Sequence, residues 1–588
     1  MVRTEKFSES KDPITVAQGG INMMKPNPIK YRESTVLMND GWDFSLNGEE
    51  WQPINVPYCP QSKLSGVAYE GMIRQCFYRR TIHYEPSDDQ VLIHFGAVDY
   101  RAILSINGNY VGTHTGGFTP FEFDIKSYLV EGANTVLLTV YDENFNIPSG
   151  KQTYKEKSFG CFYTRTTGIW QPVWLEYVPQ ERIRDFCFYP NIEECSVGID
   201  LWTHGEGCYD IKVFFEGQEV GHAAGEIAYR AKVEIPLSQK HLWDVGQGNL
   251  YDVTIWFEKD VVQTYFGLRE VTYAGNRFLL NGKEVFQKLV LNQGYYPDGL
   301  YTAANDEERK RDIDLAIKLG FNGSRLHQKV FDPRFLYFCD KAGHMVWGEF
   351  PSWGIDYSTM DNLGQFLSEW QETMKRDFNH PSIIHWCPLN EVWGDVNVQK
   401  KKPDMRIIRL IYQYTKEYDP TRPCVDVSGG YHSNSTDLFD FHCYESTGQI
   451  QKYLSVLEMH DRIEDPLGAC EGLSTPYVAG QPVNLSEYGG FSFGHVQECN
   501  DSVSEVNEGA VQSESSWGYG RGETDGDAFV DRFCVLTSTL LNCKKLSGYC
   551  YTQLYDIEQE VNGFYYYDRS DKLTEEQKKR IFECQSKR

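Results

Sequence analysis

Ser382-Ile383-Ile384-His385-Trp386-Cys387-Pro388-Leu389-Asn390-Glu391 is an apolar run of strand length that ends on an amide and a carboxylate. Runs of this kind recur through the second half of the chain, separated by segments of helical period. Phe286–Asn292, Asn322–Arg325, His344–Phe350, Ile383–Glu391, Cys424–Ser428, Leu438–Tyr444, Pro482–Glu487 and Leu546–Gln553 make eight strand candidates. Between them Ile313, Ala316 and Ile317 share a helix face, and Leu363, Phe366, Leu367, Trp370 and Met374 repeat at helical spacing. Asp332-Pro333 opens a further helix, with Gly343 beyond its end. Alternating strands and helices also suit a doubly wound sheet, but the count of eight predicts a (β/α)8 TIM barrel over 274–588.

Upstream of this region the rhythm is different. From Tyr31 to about Pro179 short strands such as Cys76–Tyr84, Val91–Phe95 and Thr135–Tyr141 lie between turn signals. Asn107-Gly108 separates two alternating runs and marks a hairpin. The expectation is an irregular arm followed by a jelly-roll β-sandwich, residues 1–179 in all. Strand patterns continue through Ile199–Trp202, Tyr209–Glu216, Ala231–Ile235 and Leu250–Glu258, which predicts a smaller immunoglobulin-like sandwich over 180–273.

The formal net charge of -26 over 588 residues is spread along the chain and repels nucleic acid and anionic membranes alike. No apolar run is long enough to cross a bilayer, and Met1–Pro13 is polar. The 16 cysteines form no CxxC pair and no zinc spacing. Buried free thiols are the expectation, and with them a reducing, cytoplasmic setting.

Barrels of this kind carry their chemistry at the carboxyl ends of the strands. Glu391 and Glu487 both end otherwise apolar strands, the fourth and seventh candidates, which lie nearly opposite across a barrel. A carboxylate is costly to bury unless it is paired or used. Two of them facing one another suit a retaining glycosidase, with Glu391 as acid/base and Glu487 as nucleophile. The same strand ends offer Arg325 to pin the nucleophile and Tyr444 to hydrogen-bond it. His327, Glu349, Trp353 and His442 are candidate wall or hydroxyl-binding groups. Trp517 is a candidate stacking residue behind a polar loop, Glu498–Ser516, read as a cover over the site. His385 reads as a core histidine.

At these residues the sequence resembles glycoside hydrolase family 2, which includes β-galactosidases, β-glucuronidases and β-mannosidases. Gly150-Lys151-Gln152, Phe159–Arg165 and Gly168-Ile169-Trp170-Gln171 look like its sugar-binding sandwich, His380–Ile384 with Asn390-Glu391 like its acid/base motif, and Leu485–Gly489 like its nucleophile motif. The resemblance implies that Asn390 bonds the sugar 2-hydroxyl and that Tyr551 stands where relatives place a sugar-facing Trp. Relatives that cleave glucuronides carry an Asn-x-Lys pair where this chain reads Glu560-Val561-Asn562-Gly563. With Glu558 and Glu560 there and no lysine, a neutral sugar, galactose first, is the expected glycone. A glucuronidase or galacturonidase, an arabinosidase or xylosidase of the same mechanism, and a non-catalytic carbohydrate-binding protein are the competing readings. The resemblance also implies a homo-oligomer. It calls for no organic cofactor and allows Mg²⁺ near the acid/base, for which the sequence assigns no ligands. No HxH or HExxH pattern supports a metal-dependent hydrolase.

Overall fold

The computed structural model describes residues 25–142, 146–392, 402–444, 446–463, 477–493, 516–520 and 522–588. The expected cover, Glu498–Ser516, lies outside them except for Ser516, and so does most of the expected arm.

The amino-terminal part is a sandwich of two antiparallel sheets. One has the order Thr35–Leu37, Val173–Val178, Gln90–Phe95, Phe121–Asp124; the other runs through Gln52–Ile54, Trp42–Ser45, Gln75–Tyr84, Gly132–Tyr141, Arg101–Ile106 and Asn109–Thr115. Alternating side chains Tyr78, Ile93, Leu104, Val136 and Leu138 close the space between them. Asn107 and Gly108 turn the expected hairpin with φ of 52° and 79°, the pair of left-handed residues that matches strand twist.

The second unit has five strands, Arg182–Asn191, Ser196–Phe215, Gln218–Pro236, Tyr251–Phe257 and Asp260–Phe266. Pairing is interrupted between Trp202 and Glu206, so the two halves of one long strand meet different partners and enclose Val197, Ile199, Ile211 and Val213 in one core. Arg32, 3% exposed, joins the two sandwiches by donating to Glu176, to Asp260 and to the Ile183 carbonyl.

Seven parallel strands follow in the order Ile383–Cys387, Met345–Glu349, Gly323–Leu326, Gln287–Asn292, Leu546–Thr552, Val483–Gly489 and Phe439–Cys443. The eighth expected strand, Cys424–Ser428, is not a continuous one. It closes the ring through four separated backbone bonds to the Trp386–Glu391 segment, Trp386 N to Pro423 O, Val425 N to Trp386 O, Ser428 N to Leu389 O and Glu391 N to Ser428 O. Pro388, which has no N–H, ends the neighbouring strand at Cys387 instead of the expected Glu391. The helix at Pro333–Ala342 starts and stops as its sequence requires: Asp332 accepts from the Arg334 N–H, Pro333 is its first residue, and Gly343 caps it at φ 63°. The described cysteines are all free thiols, and no helix among the described residues is long and apolar enough to cross a membrane.

Candidate active site

Arg325, on the strand Gly323–Leu326, is fully buried and organises the strand ends around it. Its Nε donates to Glu349 at 2.7 Å, one terminal nitrogen to Glu487 Oε1 at 2.9 Å and to the Ser486 carbonyl at 3.1 Å, and the other to Asn390 Oδ1 at 2.7 Å. It therefore fixes the nucleophile candidate and its neighbour from beneath, and its own contacts are with protein groups. Glu349, expected to bind substrate, has its oxygens engaged by protein: one accepts from Arg325 and the other from the Gln328 N–H, so it anchors Arg325.

Glu487 reaches the pocket because its strand slips register between Leu485 and Tyr488. Without that bulge, alternation would send Ser486 and Glu487 to opposite faces. Instead Ser486 bonds Asp440 and Ser428, while Glu487 bonds Arg325 and, at 2.5 Å, the Tyr444 hydroxyl. Glu391 takes φ 43°, a left-handed conformation unusual for a side chain of this size and of the kind found at functional sites. One of its oxygens lies 2.5 Å from His442 Nδ1. Ligand atoms of Glu391, His442 and Glu487 all lie within 4.8 Å of one another. An oxygen of each carboxyl group thus approaches the other within that distance.

Their acidities diverge. Burial raises the Glu391 pKa, the Glu487 charge raises it further, and His442 offsets only part of this. Burial also acts to raise Glu487, but His442, Arg325, His327 and Lys151 outweigh it and bring Glu487 down to about 2. His442 is itself raised, because Glu487 and Glu391 outweigh its burial. With Nδ1 towards Glu391 and Nε2 3.1 Å from the Ser428 hydroxyl, its ring has an acceptor for each N–H of the charged form.

Residues 59–179 match the family model "Glycosyl hydrolases family 2, sugar binding domain", and residues 271–511 match "Glycosyl hydrolases family 2, TIM barrel domain". The chain belongs to glycoside hydrolase family 2. A β-galactosidase of Thermoanaerobacterium thermosulfurigenes is 25% identical over 494 residues, which is 78% of this chain and 65% of that protein. A putative β-glucuronidase of Formosa agariphila is 26% identical over 381 residues, 60% of this chain and 44% of that protein. The match thus spans less than two thirds of these curated relatives. A solved β-glucuronidase from an uncultured Clostridium shares the fold with a TM-score of 0.74 at 19% identity, over 95% of this chain and 99% of that one.

The remaining expected residues of this family 2 chain fall into two groups. Asn390 Nδ2 is buried with no partner among the described residues and is a spare donor at the pocket floor. Trp353 donates from its indole to the Asn390 carbonyl at 3.1 Å, and His327 Nδ1 lies 3.0 Å from Glu349 and 4.0 Å from Glu487, its pKa lowered by burial to about 4. Trp517 is half-buried at the rim, its indole bonded to the Gly160 carbonyl, and it holds the sandwich loop to the barrel. Tyr551 is a correction to the substrate-binding expectation. It is fully buried against Tyr488, Phe533 and Phe564 on the outer, helical side of its strand. Strand alternation turns its neighbour Thr552 inward instead, where Thr552 meets the Tyr444 hydroxyl at 3.1 Å. His385 is a core residue, its Nε2 2.9 Å from Tyr273 and its pKa lowered by burial to about 3.

The sandwich contributes a wall that the strand-end residues do not announce. The Ser149 and Gly150 N–H groups donate to the Trp353 carbonyl, and a Cβ on Gly150 would lie 2.2 Å from the Gln328 carbonyl oxygen. This close seat carries Lys151, Cys161 and Tyr163 to the barrel mouth, where the Tyr163 hydroxyl donates to Glu560 at 2.5 Å. Their signal was present in the Gly150–Arg165 motif, but nothing local says that it crosses to a barrel. Glu558 accepts from the Thr164 N–H and holds the same loop. Glu560 is not without a cation, as the neutral-glycone expectation required: it is the carboxylate that acts most strongly on Lys151.

Glu391, His442 and Glu487 could each offer one ligand atom to an ion, although both Glu487 oxygens already accept hydrogen bonds, from Arg325 and from Tyr444.

Proposed function

We propose that the chain is a retaining exo-β-glycosidase. The observation that carries this reading is the pair Glu391 and Glu487, close across the pocket with their acidities driven apart. Glu391, kept protonated by burial and by the charge of Glu487, gives its proton to the leaving glycosidic oxygen. Glu487, ionised and aligned by Arg325 and Tyr444, attacks the anomeric carbon and forms a glycosyl ester. Glu391, now a base, takes a proton from water, which releases the sugar with its β configuration kept. Asn390 offers its free N–H to the 2-hydroxyl. The sandwich loop walls one side of the barrel mouth, which favours a terminal sugar over an internal one.

The test is a panel of 4-nitrophenyl β-glycosides (galactoside, glucoside, glucuronide, galacturonide, mannoside, xyloside) with α-L-arabinosides, run on wild type, Glu391→Gln and Glu487→Gln. Hydrolysis abolished by Glu487→Gln, with the β-anomer formed first by NMR, is the expected result. Glu391→Gln should lose roughly 10²–10⁴-fold in kcat on poor leaving groups and much less on 2,4-dinitrophenyl substrates. First release of the α-anomer, or activity that survives Glu487→Gln, would overturn the assignment. A wild type that binds sugars and cleaves none would favour the carbohydrate-binding reading.

A further inference from the structure

Lys151 is 5% exposed, yet among the described residues its ammonium makes no ion pair and no hydrogen bond. Other buried cations have partners: Arg32, Arg165, Arg309, Arg325, Arg376, Arg422, Arg569 and Lys578 face carboxylates, and Lys329 and Arg269 donate to backbone carbonyls. Around Lys151 stand the rings of Trp353 and Tyr163, 5.6 and 5.9 Å from its nitrogen. Neither ring neutralises it. Its strongest attraction is to Glu560, whose oxygens already accept from Tyr163 and Asn562; Cys161, Glu487 and Glu391 follow. These attractions outweigh burial and keep the lysine charged. The backbone on both sides is fixed, since Lys151 O accepts from Tyr163 N at 2.8 Å and Gly150 is seated on the barrel. A charged donor thus stands on a fixed backbone, within electrostatic reach of the two catalytic candidates and with no hydrogen-bond partner among the described residues.

An ammonium stripped of water recovers far more from a carboxylate than from a hydroxyl. Resting on the glycosidase reading above, we propose that Lys151 binds the carboxylate of a hexuronic acid glycone, so that the preferred substrates are β-hexuronides. This lysine comes from the sandwich and not from the barrel loop that carries Asn562, which is why the missing Asn-x-Lys pair does not exclude an acidic sugar.

The experiment compares matched pairs, 4-nitrophenyl β-glucuronide with β-glucoside and β-galacturonide with β-galactoside, on the full chain and on Lys151→Met and Lys151→Arg. The expected result is a wild-type kcat/KM for one uronide at least about 100-fold above its neutral partner. Lys151→Met should cut the uronide rate about 100-fold more than that of its neutral partner and so collapse the ratio, since any change in the acidity of Glu487 or Glu391 acts on both members of a pair alike; Lys151→Arg should keep much of the ratio. A wild type that prefers a neutral glycoside, or a Lys151→Met that lowers both members of a pair equally, would sink the proposal and leave Lys151 as a charge balance for Glu560 and Glu487. Thermal-shift binding of glucuronate and galacturonate against glucose and galactose, on wild type and Lys151→Met, covers variants or substrates that give no rate: selective binding of a uronate that Lys151→Met loses supports the assignment, and its absence overturns it. Failure of the glycosidase reading is separate, since Glu487→Gln reads that and leaves the uronate binding in place.

Discussion

Arg325 shows how much a single side chain can fix. A planar fork reaches Glu349, Glu487 and Asn390 at once, which the point charge of lysine cannot do. Arg325→Lys should therefore fold, by circular dichroism, and lose roughly 100-fold or more in kcat/KM, because misplacement of reacting groups by about 1 Å has that cost. Unchanged kinetics would remove Arg325 from its positioning role. His442 acts on both carboxyl groups, lowering the pKa of each. The acid limb of the rate profile follows ionisation of Glu487, and the alkaline limb follows loss of the Glu391 proton. His442→Gln should move both limbs to higher pH. A shift of only one limb, or of either to lower pH, would contradict this assignment.

At the scale of elements, a few glycines set how loops meet. Gly150 has φ 57° and sits against the Gln328 carbonyl, so Gly150→Ala is strained both in its own backbone and at the contact. The sandwich loop must move off the barrel. The expected outcome is a kcat/KM reduced about tenfold or more with the melting temperature little changed, as measured by a rate assay beside calorimetry. Gly343 caps its helix at φ 63°, and its Cβ would meet the Asp244 carbonyl at 2.4 Å. Gly343→Ala should lower stability by about 1–3 kcal/mol and leave KM unaltered, since this cap lies at the opposite end of the strands from the site.

For the whole molecule, the joint between the sandwiches depends on Arg32. Removing it leaves Glu176 and Asp260 buried without their counterion. Arg32→Met should destabilise the joint by about 3–5 kcal/mol, seen as an earlier calorimetric transition. Burial acts to raise the pKa of Glu176, but His94 and Arg32 hold it well below the ordinary carboxylate range. A depressed carboxylate contributes stability above its unfolded pKa of about 4.3 and loses it as pH falls. The wild-type transition should accordingly drop on acidification below about pH 4, and the drop should be smaller in Arg32→Met. Equal acid sensitivity in the two proteins would mean that this joint does not govern it.

The order of sandwiches and barrel, and the pair Glu391 and Glu487, were legible in the chain because they depend on local patterns. Period two, period 3.6 and turn residues are written within ten or twenty positions of each other, and a carboxylate that ends an apolar strand stands out. What the sequence left open depended on direction and distance. Tyr551 points outward and Thr552 inward by one step of strand alternation, and the bulge between Leu485 and Tyr488 turns Glu487 inward where alternation would not. Glu349 serves Arg325 because burial leaves both its oxygens to protein donors. Cys424–Ser428 closes the ring without forming a regular strand. Lys151 comes to the barrel mouth across more than 200 residues of chain from Trp353 and Glu391, through backbone contacts that have no periodic trace. By itself the sequence determined the elements and the two carboxylates. Which face each side chain presents, and which distant loop completes the pocket, was decided only by tertiary packing, since both follow from contacts between segments that are remote along the chain.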